Sequence, residues 1–307
     1  GSVRIEEQRD GREFRRTYHT PVGSITEVEV YLPESYTHAY TQRLVKTRDD
    51  LAVLRYIFEH ATFEPDYAEA ARRHALVQDL GMVLCYLPKT PFMQMAVLLA
   101  GIESVIGLYM DARDELEATL ALIEKKSDEA AEIALASPAE CLMIPENLSS
   151  EVVGKRFFER YVRGYEEKWN RRIREAGKFS FVHLDGTTRG LIREVASTGF
   201  RVIEAVTPKP VGDITLAEMV ERVAPVRQPG VPPCILWGGL PGIYFTDLIS
   251  DAEFERHVRE MLALMVTEPR FVLGVADQVP PDGQRRRVAQ VVELVERYGC
   301  YPATDTR

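Results

Sequence analysis

The stretch FVHLDGTTRGLIREVASTGFRVIEAVTPKPVGDITLAEM, residues 181–219, repeats one pattern twice. A short apolar run ends in an ionisable residue, a polar turn follows, and a segment with helical spacing comes next. The two runs are Phe179–His183 and Arg201–Ala205, and the helical segments are Thr187–Ser197 and Leu216–Val223. Apolar runs this short, without alternation, suit strands buried on both faces. Strands joined through a helix run parallel, because a crossover returns the chain to the same end of the sheet.

The pattern extends in both directions. Further apolar runs occur at Met82–Tyr86, Cys141–Ile144, Cys234–Trp237 and Phe271–Gly274. Helical periodicity marks Asp49–His60, Tyr67–Leu80, Pro91–Tyr109, Ala112–Ala136, Lys155–Ala176, Ala252–Met265 and Gln284–Tyr298. Thr215 with Glu218, and Ser250 with Glu253, have capping-box spacing, in which hydroxyl and carboxylate satisfy the first amides of a helix. The triplet Arg285-Arg286-Arg287 reads as a solvated face opening the last helix. Near the start, Glu13–Tyr18 and Ser24–Leu32 flank Thr20-Pro21-Val22-Gly23 and predict a β-hairpin excursion over residues 13–32.

Alternating strands and helices fit either a doubly wound open sheet or a closed barrel. No G-x-G-x-x-G follows a strand, which weakens the nucleotide-binding open sheet. Polar residues or glycines close five runs, at Glu146-Asn147, His183–Asp185, Glu204, Gly238-Gly239 and Asp277. Barrel enzymes keep their chemistry at that end of the strands. The expectation is therefore one domain over 1–307, a TIM (β/α)8 barrel. Six runs rather than eight leave two expectations: strands without a recognisable apolar run, or a chain that begins after the first strand or two.

Bulk properties set boundaries. The formal charge of −9 disfavours nucleic acid and anionic membranes as partners, since the averaged field repels phosphate. No apolar run reaches the roughly 20 residues of a membrane span. Cys85, Cys141, Cys234 and Cys300 are widely spaced and form no CxxC pair, which fits a reducing, cytoplasmic compartment.

The candidate site follows from strand ends. His183 and Asp185 are two apart and point to one side of a strand. Glu204 closes the next run, and Asp277 follows the last. One imidazole with these three carboxylates is a plausible ligand set for zinc or another divalent ion. His183 and Glu204 are the catalytic candidates. Trp237, Gly238, Gly239, Asn147 and Arg189 are the substrate-binding candidates, the glycines by allowing a ligand to approach the backbone. Each has a plainer reading: His183 as a satisfied core histidine, Asp185 as a helix cap, Trp237 as packing, Asn147 as a turn residue. Asp213, just before a capping box, reads as structural.

Four segments carry a family resemblance: TYHTPVGSITEV (17–28), residues 181–219 above, ILWGGLPGIYF (235–245) and VLGVADQVPPDG (272–283). In that order they resemble the uroporphyrinogen decarboxylase superfamily. The resemblance implies a (β/α)8 barrel, a small-molecule substrate, a homodimer, and one of two activities. One is cofactor-free decarboxylation of uroporphyrinogen or another carboxylated substrate. The other is zinc-dependent methyl transfer to or from a corrinoid carried by a partner protein. The methyltransferases carry His-x-Cys and a later Cys as zinc ligands; here Asp185 and Asp277 stand where thiols are expected. Carboxylates make a bound ion harder and better suited to an oxygen-linked methyl donor. A non-catalytic, ligand-binding homologue is the third reading.

Overall fold

The computed structural model describes residues 2–300. Four antiparallel strands open it: β1 (Arg4–Asp10), β2 (Glu13–Thr20), β3 (Gly23–Leu32) and β4 (Thr37–Gln42), neighbours in that order. The expected hairpin is the β2–β3 pair. Its flanking strands show no apolar face in sequence. β1, for instance, is exposed at six of its seven residues, and cross-strand charge supports it, Arg16 donating to Glu7 at 2.8 Å.

The second sheet has six strands, one for each apolar run: β5 (Leu84–Tyr86), β6 (Cys141–Leu148), β7 (Phe179–Leu184), β8 (Val202–Val206), β9 (Ile235–Pro241) and β10 (Phe271–Ala276). Their order is β10-β9-β8-β7-β6-β5. The pairs β5–β6, β7–β8, β8–β9 and β9–β10 are parallel. Doubly wound sheets reverse strand order at a switch point, whereas barrels add each strand beside its predecessor. The monotonic order here is that of a TIM-type barrel.

The helices are α1 (Asp50–His60), α2 (Ala68–Val77), α3 (Pro91–Met93), α4 (Ile102–Asp111), α5 (Arg113–Leu135) and α6 (Gly154–Phe157). They continue with α7 (Arg163–Glu175), α8 (Ile192–Ala196), α9 (Leu216–Val223), α10 (Asp251–Thr267) and α11 (Arg285–Tyr298). Both capping boxes form, at the starts of α9 and α10. Three expected helices are interrupted or shortened, among them Lys155–Ala176, which divides into α6 and α7 around a π-helical turn, Phe158–Val162. The segment 91–109 passes through a π-helical turn, Gln94–Leu99, and breaks at Gly101, whose φ of 84° lies in the left-handed region. Helix α8 begins at Ile192 rather than near Thr187, because Asp213 Oδ1 accepts the amides of Thr188 and Arg189 at 2.9 and 3.2 Å and holds them in a loop.

The chain forms two compact units. The first runs to Glu146 and takes in Glu159–Glu166 and Glu175–Lys178; the second holds Asn147–Phe158, Glu167–Arg174 and the chain from Phe179 on. The first buries Leu51 and Leu54 of α1 with Leu116 and Ile123 of α5. The second buries Val182 and Ile203 of its strands with Ile192, Val195, Leu216 and Met219 of its helices. One reading is corrected here. Arg287 is not part of a solvated face but is 1% exposed. Its guanidinium donates to the carbonyls of Tyr244, Thr246 and Ile249 at 2.7, 2.7 and 2.6 Å and to Asp251 at 2.8 Å. Among the described residues no helix is long and apolar enough to cross a membrane.

Candidate functional site

Every residue proposed for the site lies in the second unit. Strands β7 and β8 run in register, with Phe181, Val182 and His183 opposite Val202, Ile203 and Glu204. Partners so aligned in adjacent parallel strands project to the same face. The result is a direct contact: His183 Nδ1 lies 2.6 Å from Glu204 Oε2. Asp185 comes up on the other side of the ring, its Oδ2 3.6 Å from Nε2. The imidazole therefore sits between two carboxylates, one on each nitrogen.

Burial sets the electrostatics. The side chains of His183, Glu204 and Asp185 are 13%, 17% and 33% exposed, so the imidazole has little water to stabilise its charge. Burial alone would lower its pKa. The hydrogen bonds to Asp185 and Glu204 and their negative charge more than reverse this and push it up to about 9. With its pKa raised to about 9, His183 is held as a cation at neutral pH, with Glu204 at Nδ1 and the more exposed Asp185 near Nε2.

The four expected metal ligands do not converge. An ion bonded to one nitrogen of His183 reaches one of the flanking carboxylates, because the other occupies the opposite nitrogen. Asp277 is exposed in the loop after β10. Among the described residues no three His, Cys, Asp or Glu side chains are placed to hold a metal together. The free cysteines are Cys85, Cys141, Cys234 and Cys300, with Asp at 185 and 277. As placed, these side chains do not fit the thiolate zinc centre that the resemblance implies.

The substrate-binding candidates separate. Trp237 packs within the sheet: its ring meets Phe181 edge-on at 6.0 Å, and a Cβ on Gly274 would fall 2.5 Å from its indole nitrogen. The close approach permitted by Gly238 is to the neighbouring strand, since a Cβ there would lie 2.7 Å from the Val206 carbonyl oxygen. At Gly239 a Cβ would lie 2.9 Å from the Phe271 ring. Arg189 is exposed, its guanidinium donating to the Asp213 carbonyl at 2.9 Å and standing 3.5 Å from Glu218. Asn147 is exposed with φ 55°, in the left-handed region that asparagine tolerates. Asp213 is structural, as expected, through the amides it holds.

One ionisable group, marked in the sequence as closing a run, is not among the site candidates. Glu146, beside Asn147 in the first unit, is fully buried and accepts from the Thr90 amide at 2.9 Å and the Thr90 hydroxyl at 3.2 Å. Burial pushes its carboxyl up to about 7 against the pull of Thr90 and Lys89. The signal available was an acidic residue closing the apolar run Cys141–Ile144, the same signal that marked Glu204.

A strand-by-strand parallel sheet with an imidazole and two carboxylates at the C-terminal ends of neighbouring strands defines a barrel protein of the enzyme type. The chain belongs to the uroporphyrinogen decarboxylase (URO-D) family, whose sequence profile matches residues 28–298. No curated protein matches it. Among solved structures it resembles a methyltransferase from Methanosarcina mazei with a TM-score of 0.59 at 13% identity, covering 89% of this chain and 75% of that one. A distant likeness, TM-score 0.34 at 10% identity over 97% of this chain and 71% of the other, is to an enolase (putative galactarate dehydratase) from Agrobacterium radiobacter.

Proposed function

We propose that the protein transfers a methyl group from an oxygen-linked donor, such as an aryl methyl ether, to a corrinoid acceptor carried by a partner protein. The observation that carries this reading is the His183 imidazole held protonated between Glu204 and Asp185. When a methyl group leaves an ether oxygen, that oxygen takes on the bonding electrons and becomes an anion. A cationic imidazole at its side supplies the missing proton. General acid catalysis of this kind contributes about 10²–10⁴-fold. Glu204 fixes the ring and stabilises its charge, and Asp185 flanks the second nitrogen, adding to that stabilisation.

Membership of the URO-D family and the methyltransferase identity of a structural neighbour support this choice. Decarboxylation of an acidic tetrapyrrole would ask for cationic side chains to hold its carboxylates. Arg189, the candidate nearest the triad in sequence, is engaged with Asp213 and Glu218. A divalent ion at His183 Nε2 would supply Lewis acidity to the same oxygen, but the side chains offer it one imidazole and one carboxylate.

The test is formation of methylcobalamin and free phenol from cob(I)alamin and methoxylated aromatics, followed by absorbance. We expect turnover in the wild type and a loss of at least about 100-fold in His183→Gln. Absence of methyl transfer together with CO2 release from uroporphyrinogen would replace this reading by decarboxylation, and absence of both would leave the ligand-binding homologue. Elemental analysis of wild type and His183→Ala settles separately whether an ion depends on that side chain.

A further inference from the structure

Strand β8 is regular on one side and irregular on the other. Against β7 it pairs residue for residue through His183–Glu204. Against β9 the register slips: Ile203 faces Leu236, but the next partner pair is Val206 with Gly238. Two residues of β8, Glu204 and Ala205, therefore stand opposite the single residue Trp237, which is a β-bulge. Its backbone signature is at Ala205, whose φ of 63° lies in the left-handed region that residues with a side chain rarely adopt.

Two contacts lock the bulge. The Thr207 hydroxyl, buried, donates to the Ala205 carbonyl at 2.8 Å. Across the sheet, the bulged backbone fills the space beside Gly238: a Cβ at that position would sit 2.7 Å from Val206 O, 2.8 Å from Val206 N and 3.3 Å from Ala205 C. Backbone atoms cannot swing away as a side chain can, so residue 238 must be glycine for the bulge to exist. The φ of 140° at Gly238 adds a second reason for glycine.

Bulges re-aim side chains and are enriched beside active sites. We propose that Gly238 is a positioning residue: by admitting the bulge at Ala205 it sets the backbone of β8 so that Glu204 meets Nδ1 of His183. The inference rests on the functional reading given to the triad, but it concerns how the contact is built and does not depend on which reaction the contact serves. It also gives Gly238 a role that needs no bound ligand. The sequence motif Trp237-Gly238-Gly239 then divides by function, the first glycine serving the bulge and the second making room for the Phe271 ring.

The experiment reads the contact itself. In protein carrying ¹⁵N-labelled histidine, the Nδ1–H of His183 in its short hydrogen bond to Glu204 gives a protected, downfield imidazole resonance, assigned by its disappearance in Glu204→Gln. Gly238→Ala is expected to abolish that resonance while circular dichroism shows the fold retained. Gly239→Ala, at a neighbouring position crowded by the Phe271 side chain and outside the bulge, is expected to keep it. If Gly238→Ala does not fold, Thr207→Val removes the hydroxyl that holds Ala205 and is expected to shift or broaden the same signal. A wild-type resonance that persists in Gly238→Ala, or in Thr207→Val where the first variant is unfolded, overturns the positioning role and leaves the triad standing. Equal loss in Gly239→Ala overturns it as well. Absence of the resonance from the wild type removes the contact and with it both the positioning role and the functional reading.

Discussion

The protonation state of His183 is set by two neighbours at different distances, and this gives the first prediction. Glu204 lies 2.6 Å from Nδ1 and Asp185 3.6 Å from Nε2, and both carboxylates raise the pKa of the ring against its burial. Replacing either carboxylate leaves burial less opposed, so the pKa of His183 falls from about 9 toward or below the ordinary histidine range. Glu204→Gln and Asp185→Asn should each produce a drop, as read from the ring carbon shifts in an NMR titration. A pKa unchanged in Glu204→Gln would show that the pair does not form in solution. The two-residue spacing of His183 and Asp185 and their place at a strand end were legible from periodicity alone. What could not be read was which nitrogen each carboxylate would take. That depends on the register of β7 against β8, a tertiary quantity, and it turned an expected metal ligand set into an imidazole bracketed on both sides. Asp277 failed to join for a similar reason: its strand ends two positions along the sheet, beyond β9, and the loop carries it outward.

Among elements, the parallel strands were the most legible, because each of the six short apolar runs is set off from the next by a segment of helical periodicity. The antiparallel N-terminal sheet was half legible. β1 and β4 expose much of their surface and carry no hydrophobic alternation, so only the hairpin with a Pro-Val-Gly turn announced itself. Arg287 was misread because a triplet of arginines at a helix start carries no mark of which one turns inward. Its structural role supports the second prediction. Arg287 ties the N-terminal turn of α11 to the 3-10 turn Gly242–Phe245 and the segment leading to α10, where three carbonyls and Asp251 accept from it. Arg287→Met deprives those acceptors of a buried partner and should cost about 3 kcal/mol or more. Ser250→Ala removes only one capping hydroxyl, which accepts from Glu253 N at 3.3 Å, and should cost about 1 kcal/mol. Urea unfolding of the two variants beside the wild type checks both values. A smaller loss in Arg287→Met than in Ser250→Ala would mean that the segment after β9 is held by something other than this guanidinium.

At the scale of the whole molecule, the buried ionisable groups predict how stability depends on pH, and the sign follows from proton binding. The folded state holds a proton on His183 up to about pH 9, whereas an unfolded histidine releases it near pH 6.5. Its contribution is therefore complete below about 6.5 and is lost as the pH rises toward 9. Glu146 acts in the same direction over a lower window: buried and raised to about 7, it keeps its proton while the unfolded chain ionises near 4.5, so stability falls across that interval too. His257, whose pKa burial lowers despite its bond to the Gly239 carbonyl, works oppositely, but only below the ordinary histidine range. Exposed carboxylates held down to about 2 by arginines, such as Glu69 and Glu117, are fully ionised in both states well before neutrality and add no slope there. Between pH 7 and 9 the balance is then governed chiefly by His183, joined at the upper end by the thiols of buried Cys141 and half-buried Cys234, which desolvation pushes up to about 11 and about 12. Unfolding free energy measured by urea titration should decline through this window in the wild type. The decline should flatten in Glu204→Gln, whose histidine has already lost its proton by pH 7, and should persist in Glu146→Gln. A wild-type stability that rises between pH 7 and 9 would mean that the folded state does not hold the extra proton on which the acid role of His183 depends.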